Sequence, residues 1–183
     1  MAEVLAETER LILRNWRPED RPVYLAVCNT EAVTKHLGGP SSEEEIDAAF
    51  GRIATSQKEQ GFSFWAVERK SDGVLLGYCG LRICDDAKRP VYGEVEIGWR
   101  LREDAWGLGY AKEAAQAAFD WAWANLDANR VVSFTVPANE PSWRLMERLG
   151  MARRQDLDFA HPKFAEDHPL SGHITYVAER PLS

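Results

Sequence analysis

The order of apolar and polar positions predicts strands and helices in one mixed arrangement. Alternating or β-branched apolar positions, which are typical of strands, occur in six segments. Helix start and stop signals, and one long face of alanines and aromatics, predict four helices. The predicted strands are residues 9–14, 62–69, 74–83, 91–101, 130–137 and 174–177, and the predicted helices are residues 18–37, 41–60, 111–126 and 139–149. This order predicts a mixed α/β fold with one sheet and a single domain, residues 1–183.

The most informative local pattern is a glycine-rich turn between a strand and the longest apolar helix. Gly107 and Gly109 follow the predicted strand 91–101 and directly precede the helix that starts at Ala111. Glycines let the backbone approach a ligand, and free N–H groups at a helix start favour an anion such as a pyrophosphate. The lysine of a P-loop is absent, and Lys112 stands where a dinucleotide fingerprint needs its third glycine. These differences argue against a nucleotide-binding enzyme. A purely structural role for the turn is the alternative interpretation.

Further segments of the chain extend this pattern. They are residues 8–14 (TERLILR), residues 96–101 (EIGWRL), residues 106–111 (WGLGYA), and Asn139-x-x-Ser142 followed by residues 149–151 (LGM). In this order and spacing they resemble the GNAT superfamily of N-acetyltransferases, most closely its RimJ/RimL-like branch. The resemblance implies the GNAT fold, with a central, mostly antiparallel sheet flanked by helices, and an enzyme that uses acetyl-CoA as cosubstrate.

The resemblance also implies roles for matching positions. The end of the strand would offer backbone groups to the pantetheine arm, as an added strand does. The N–H groups of residues 106–112 would hold the pyrophosphate, and Asn139 would bind the pantetheine near the thioester. Ser142 would protonate or hydrogen-bond the departing thiolate. The implied cofactor-binding residues are Trp99, Arg100, Leu101, Trp106, Gly107, Leu108, Gly109, Tyr110, Ala111, Lys112 and Asn139.

Two positions depart from the family's pattern. Trp106 stands where Gln or Arg is common, so its side chain would contribute by packing and not by charge. Met146 stands where many members carry a tyrosine as general acid, and Ser142 is then the remaining candidate. In the alternative interpretation, Asn139 or Ser142 merely caps a helix that has Pro141 in its first turn.

The acceptor amine must be neutral to react. At pH 7 a lysine costs about 4.6 kcal/mol to deprotonate, whereas an α-amino group costs about 1–1.4 kcal/mol. A lysine or polyamine therefore needs a base or a water relay. Glu96, and after it Glu94, are candidate bases, but either acid could instead be solvated or pair with Arg82 or Arg100.

The resemblance favours a protein or peptide N-terminal α-amine as the acceptor. The alternatives are a small amine, such as a polyamine or an antibiotic, and an acyl-CoA-binding module without turnover. Because no cysteine falls within the matching segments, direct transfer without an acyl-enzyme is expected. A homodimer is expected from the resemblance alone.

Composition limits the possible partners and location. The 183 residues carry 22 Lys and Arg against 29 Asp and Glu, and the net charge of −7 opposes nucleic-acid binding and favours cationic substrates. The cysteines and histidines show no metal-ligand spacing, although His161 and His168 could line the acceptor end. Without a membrane-length apolar run or a signal-peptide pattern, a reduced, cytoplasmic protein is expected.

Overall fold

A computed structural model describes residues 2–181, and its strands form one large sheet. The strand order is β1-β2-β3-β4-β5-β6-β9-β7, and β8 pairs with β9 beside this path. The strands are β1 Val4–Glu7, β2 Leu11–Arg14, β3 Phe64–Arg69, β4 Leu75–Ile83, β5 Val95–Leu101, β6 Arg130–Thr135, β7 Ala152–Arg153, β8 Phe159–Ala160 and β9 Gly172–Glu179. The helices are α1 Asp20–Cys28, α2 Glu31–Thr34, α3 Glu43–Gln60, α4 Tyr110–Asn125 and α5 Glu140–Arg148.

The sheet is divided where β5 meets β6. Every other neighbouring pair of strands is antiparallel, whereas β5 and β6 are parallel. Seven residues of β5 pair with β4, but only Val95 and Glu96 pair with β6. Beyond Glu96 the two strands separate toward their carboxyl ends. We call the opening between residues 97–101 and residues 133–135 the split.

Helices cover the two faces of the sheet differently. On one face, α4 packs against β4 and β5 through a row of buried alanines that brings the helix close to the strands. On the other face, Tyr24 of α1 and Ile46 of α3 form a separate cluster with Ala66 and Leu75. Alternate residues of β5 therefore face different helices, since successive side chains of a strand point to opposite faces.

The predicted mixed α/β order is confirmed, with three differences in the elements. The strands β1, β7 and β8 were not predicted. The predicted helix 18–37 is wrong, because α1 ends at Cys28 and the Thr30 hydroxyl caps a separate helix, α2. The predicted strand 91–101 starts only at Val95, after a turn in which Gly93 has a φ of 80°. Within residues 2–181, no helix combines the length and the apolar character that a membrane span needs.

Candidate active site

The free edge of β5 faces the split. Along an antiparallel pair, residues alternate between bonding to the partner strand and pointing away from it. The N–H of Arg102 donates to the carbonyl of Leu76 at 2.8 Å, which fixes this alternation along β5. Trp99 and Leu101 therefore direct their backbone N–H and C=O groups away from β4 and into the split, where pairing with β6 has ended. An extended ligand could bind there as an added strand.

The same alternation changes the expectation for Arg100. Its backbone groups bond to Tyr78 of β4, with which it is in register, so they do not reach the split. Arg100 therefore does not join Trp99 and Leu101 as a backbone contact. Its side chain lies on the face of the sheet that α1 covers, where its Nη1 donates to the hydroxyl of Tyr24 at 2.8 Å.

Two glycines shape the turn after β5. Gly107 has a φ of 73° and Gly109 a φ of 82°, a left-handed conformation that favours glycine. A Cβ atom on Gly109 would also lie 3.3 Å from Nη2 of Arg10. At the start of α4, the backbone N–H groups of residues 110–112 have no bonding partner in the described part of the chain. These free donors, at the positive end of the helix dipole, suit an anion.

The segment between β1 and β2 holds this turn. Glu113, near the start of α4, accepts hydrogen bonds from the Thr8 hydroxyl at 2.5 Å and from Nε of Arg10 at 2.7 Å. Nη1 of Arg10 also donates to the carbonyl of Leu108 at 3.0 Å. Burial alone would raise the pKa of Glu113, but these hydrogen bonds hold it below its ordinary value. We call Thr8, Arg10 and Glu113 the Arg10 clamp.

The Arg10 clamp also removes an unfavourable charge. A carboxylate near a helix start repels an anion that binds there. Arg10 pairs with Glu113, with 2.6 Å between Nη2 and Oε2, and so neutralises it. Residues 8–14 are part of the resemblance described above, which implied no role for Thr8 or Arg10.

Trp106 connects the turn to the end of β5. Its indole N–H donates to the carbonyl of Leu101 at 2.9 Å, while about half of the residue's surface stays exposed. The side chain therefore stabilises the turn by packing and by one neutral hydrogen bond. A groove of about 910 Å³ between β1 and α4 continues from Gly109 and the exposed Lys112.

The start of α5 carries the two polar residues that the sequence singled out. Asn139 holds the N-cap position, but its side chain makes no capping bond and instead donates to Oγ1 of Thr135 at 3.0 Å. Ser142 is half-buried, and its hydroxyl makes no hydrogen bond with residues 2–181. Met146 is buried, with 1% of its surface exposed. The free hydroxyl of Ser142 is therefore the group at this helix start with a proton to donate.

On the face that α1 covers, β3, β4 and β5 carry a row of arginines and aromatic rings. We call Phe64, Tyr78, Arg82, Glu96 and Arg100 the arginine face. The Arg82 guanidinium lies 5.5 Å from the centre of the Phe64 ring, which stacks on Tyr78 at 5.0 Å, and Arg100 lies 5.6 Å from the Tyr78 ring. Glu96 is 7% exposed and accepts a hydrogen bond from Nε of Arg82 at 2.7 Å. The buried carboxylate is thus paired with Arg82 and not with Arg100.

The second candidate base and the nearest thiol are both constrained. Glu94 precedes β5 and pairs with Arg130, with 2.5 Å between Oε1 and Nη2. Sγ of Cys84 lies 3.8 Å from Oε2 of Glu96. Burial, and then the charge of Glu96, raise the pKa of Cys84 to about 12. Cys84 is therefore a neutral thiol at physiological pH.

Three of the four histidines, His161, His168 and His173, lie in or beside the loop before β9. Nε2 of His161 lies 3.0 Å from Nη2 of Arg89, and the His161 ring lies 4.9 Å from that of His173. Burial and then Arg89 lower the pKa of His161 to about 4. His168 is exposed and stacks on Phe164. Between residues 2 and 181, no His, Cys, Asp and Glu side chains cluster closely enough to hold a metal ion.

Comparisons with known proteins agree on one family. A model described as "Acetyltransferase (GNAT) domain" matches residues 10–152. The chain is 28% identical over 151 residues to the uncharacterized N-acetyltransferase p20 of Bacillus licheniformis, with 80% of this chain and 81% of that protein covered. It superposes on the crystal structure of an acetyltransferase from Agrobacterium tumefaciens str. C58 with a TM-score of 0.76 and 26% identity, covering 98% of this chain and 94% of the other.

Two more distant structures share the fold. RimL, a ribosomal L7/L12 alpha-N-protein acetyltransferase, is 17% identical with a TM-score of 0.76, covering 98% of this chain and 95% of RimL. A spermidine N-acetyltransferase from Vibrio cholerae, in complex with CoA and spermine, is 14% identical with a TM-score of 0.72, covering 94% and 97%. At these identities the likeness concerns the fold alone. The chain belongs to the GNAT family of acetyltransferases, and it is an acetyl-CoA-dependent N-acetyltransferase.

Proposed function

We propose that this enzyme transfers the acetyl group of acetyl-CoA directly to the α-amine at the N-terminus of a peptide or protein. The observation that carries the acceptor class is the pairing of Glu96 with Arg82. One oxygen of this buried carboxylate is already occupied by a charge-assisted hydrogen bond. The site therefore suits an amine that loses its proton at small cost without strong general-base catalysis, as an α-amine does and a lysine does not. This assignment would place the protein functionally beside the RimJ/RimL branch.

On the cosubstrate side, each part of acetyl-CoA has a matching surface. The N–H and C=O groups of Trp99 and the N–H of Leu101 would pair with the pantetheine arm, whereas the carbonyl of Leu101 already accepts from Trp106. The turn at Gly107 and Gly109 would hold the pyrophosphate. The groove beyond Lys112 has room for the adenosine end. The side-chain nitrogen of Asn139 donates to Thr135 and so fixes the orientation of the amide group. Its Oδ1 atom, which has no hydrogen-bond donor within residues 2–181, would accept a hydrogen bond from the pantetheine.

At the reacting centre, the chain supplies one proton donor and one acceptor. The amine attacks the thioester carbonyl, and the tetrahedral intermediate expels the CoA thiolate. The hydroxyl of Ser142 would hydrogen-bond that thiolate, or protonate it and regain a proton from solvent. Glu96 would accept the amine proton, directly or through a water molecule, once the amide bond has formed. The small cost of deprotonating an α-amine keeps this second demand low.

Direct transfer also fits the state of the cysteines. A covalent acyl-enzyme requires a thiolate nucleophile. Burial raises the pKa values of Cys28 and Cys79, and burial together with Glu96 raises that of Cys84. A ternary complex of enzyme, acetyl-CoA and amine therefore accounts for the reaction without a cysteine intermediate.

The experiment measures CoA release from acetyl-CoA with a thiol reagent, across matched acceptors. One peptide has a free N-terminus and no lysine, and its partner has the same sequence with a blocked N-terminus and one lysine. Spermidine and an aminoglycoside complete the panel. We expect turnover with the first peptide and at most a trace with the second. Turnover only with spermidine or the aminoglycoside would contradict the proposal and identify a small-amine acetyltransferase.

A further inference from the structure

We propose that Arg100 binds an anionic group of the acceptor, so that the enzyme prefers peptides with an acidic side chain near the reactive N-terminus. This inference rests on the proposed function, because it assigns a specificity element to the same acceptor. It concerns the side chain of Arg100, which was expected to act through its backbone and does not.

The guanidinium of Arg100 has almost no partners in the protein. Its single hydrogen bond within residues 2–181 joins Nη1 to the neutral hydroxyl of Tyr24, and no carboxylate in that range pairs with it. Its Nε atom is buried without a hydrogen-bond partner. A desolvated cation without a counter-charge is costly, and an unsatisfied buried donor adds to that cost. A ligand carboxylate would relieve both.

Arg14 shows how this chain treats a structural buried arginine. Its Nε donates to Glu68 at 2.8 Å, and its two terminal nitrogens donate to the carboxylate of Asp20 at 2.7 and 2.9 Å. The guanidinium of Arg14 is thus held by two acids of the protein itself. Arg100 lacks any such partner, although its neighbours Tyr78 and Phe64 are ordered in the same row of stacked groups. Arg14 is therefore a structural arginine, whereas Arg100 has the unsatisfied donors of a ligand-binding arginine.

Arg100 also lies where an acceptor could reach it. Arg100, Tyr78 and Phe64 all keep part of their surface exposed, unlike Tyr24 beneath them. Glu96 and Arg100 are four residues apart on β5, which separates their Cα atoms by roughly 13 Å. With the amine near Glu96, an anion at Arg100 is the side chain of the second or third acceptor residue. The α-carboxylate of a free amino acid would be too close to its own amine.

The local charge therefore differs from the net charge of −7. Arg82 and Arg100 contribute two cations to the arginine face, and Glu96 supplies one buried anion. This excess of positive charge opposes polyamines, which carry several cations, and attracts an acidic peptide. The overall acidity had favoured cationic substrates, but groups within a few ångströms of the acceptor outweigh distant charges that salt screens.

The test compares kcat/KM for three peptides that differ only at positions two and three. One carries Glu at these positions, one carries Gln, and a third carries Lys; glutamate and glutamine as free amino acids form a separate arm. We expect the native enzyme to prefer the Glu peptide over the Gln peptide by about ten- to a hundredfold, as for a hydrogen bond to a charged group. In Arg100→Met the ratio should fall toward one. In Arg100→Lys part of it should remain, since the charge persists without the planar fork.

Two controls protect the interpretation. Arg102→Met removes an arginine two positions away that pairs with Asp104, and it should keep the preference. Tyr24→Phe removes the hydrogen bond to Arg100 without changing its charge, and it should keep most of the preference. Equal use of the Glu and Gln peptides by the native enzyme, or a preference that survives in Arg100→Met, would overturn the inference alone. A preference for free glutamate over the peptides would assign the anion to a small molecule and overturn the peptide proposal. No transfer to any α-amine would overturn the proposed function and this inference together.

Discussion

The cosubstrate end and the acceptor end of this site are built in different ways. At the cosubstrate end, the Glu113 charge is paired with Arg10, and within residues 2–181 the groups left for a ligand include backbone N–H donors, the edge of β5 and the exposed Lys112. At the acceptor end, the arginine face leaves the Arg100 cation without an anionic partner among residues 2–181. The cosubstrate end thus offers backbone groups in a fixed geometry. The acceptor end offers a side-chain charge that no carboxylate among residues 2–181 neutralises.

This difference matches what each end has to recognise. The cosubstrate acetyl-CoA is a single, fixed molecule, so a backbone surface shaped by two left-handed glycines would be sufficient to bind it. Acceptors differ between members, and side-chain charge can change with a single substitution. We therefore propose that specificity resides in side chains such as Arg100 and that binding of the cosubstrate depends on main-chain geometry.

The largest expected effect separates chemistry from both ends. Ser142→Ala removes the free hydroxyl at the start of α5, and we expect kcat to fall about 100-fold, the scale of general acid catalysis. The dissociation constant for acetyl-CoA, measured by calorimetry, should stay within a factor of three. A normal kcat would show that another group assists the departing thiolate, and it would leave both binding ends unaffected.

A change in the backbone of the glycine turn should weaken the binding of acetyl-CoA much more than that of the acceptor. Gly109→Val forces a branched residue to a φ of 82° and brings its Cβ against Arg10. The strain is on the order of 1–3 kcal/mol, so KM for acetyl-CoA should rise roughly 10- to 100-fold. KM for the acceptor serves as the internal control and should change far less. Equal losses for both substrates would mean that the turn supports the whole site.

The Arg10 clamp can be tested with a shortened cosubstrate. Arg10→Met leaves Glu113 unpaired beside the expected pyrophosphate, so kcat/KM with acetyl-CoA should fall by about tenfold. S-acetylpantetheine lacks the pyrophosphate, and the variant should use it nearly as well as the native enzyme does. A similar loss with both thioesters would assign Arg10 a general structural role. Arg154→Met, which removes a surface pair with Asp156, is the matched control.

The smallest expected effect is a loss of folding stability at low pH. The pKa of His161 is about 4 in the folded protein, below the ordinary value of 6.5, because burial and Arg89 disfavour its charged form. The unfolded chain therefore binds more protons, and stability falls as the pH drops from about 6.5 toward 4. Since His161 is only half-buried, we expect a loss of about 1 kcal/mol and a fall of roughly 2–4 °C in Tm. His161→Gln should flatten this slope, and an unchanged slope would contradict the assignment.

The sequence carries more information about the turn at Gly107 and Gly109 than about the arginine face. Gly107 and Gly109 are recognisable because left-handed turns require glycine whatever surrounds them, and the helix after them is marked by its alanine face. Arg100 was predicted to act through its backbone because it lies between Trp99 and Leu101 in the chain. The direction of its backbone groups depends instead on which edge of β5 bonds to β4. That alternation follows from pairing across the sheet, and no local pattern encodes it.

Contacts between distant segments were equally hidden. The bond between Thr8 and Glu113 joins residues 105 positions apart, and β1 itself was not expected. The pairing of Glu96 with Arg82 stood among several alternatives until the register of β4 and β5 decided it. Candidate residues could be named from the sequence, but their bonding partners depended on the fold.

The open edge of β5 also bears on how the protein behaves in solution. An unpaired strand edge is a template onto which a strand of another molecule can add. Residues 97–101 present such an edge, since pairing with β6 ends at Glu96. A pantetheine arm in the split would cover the same groups and leave no room for a second chain. We therefore expect the protein to aggregate at a lower temperature without CoA than with it. Bound cosubstrate would then also protect the protein from self-association.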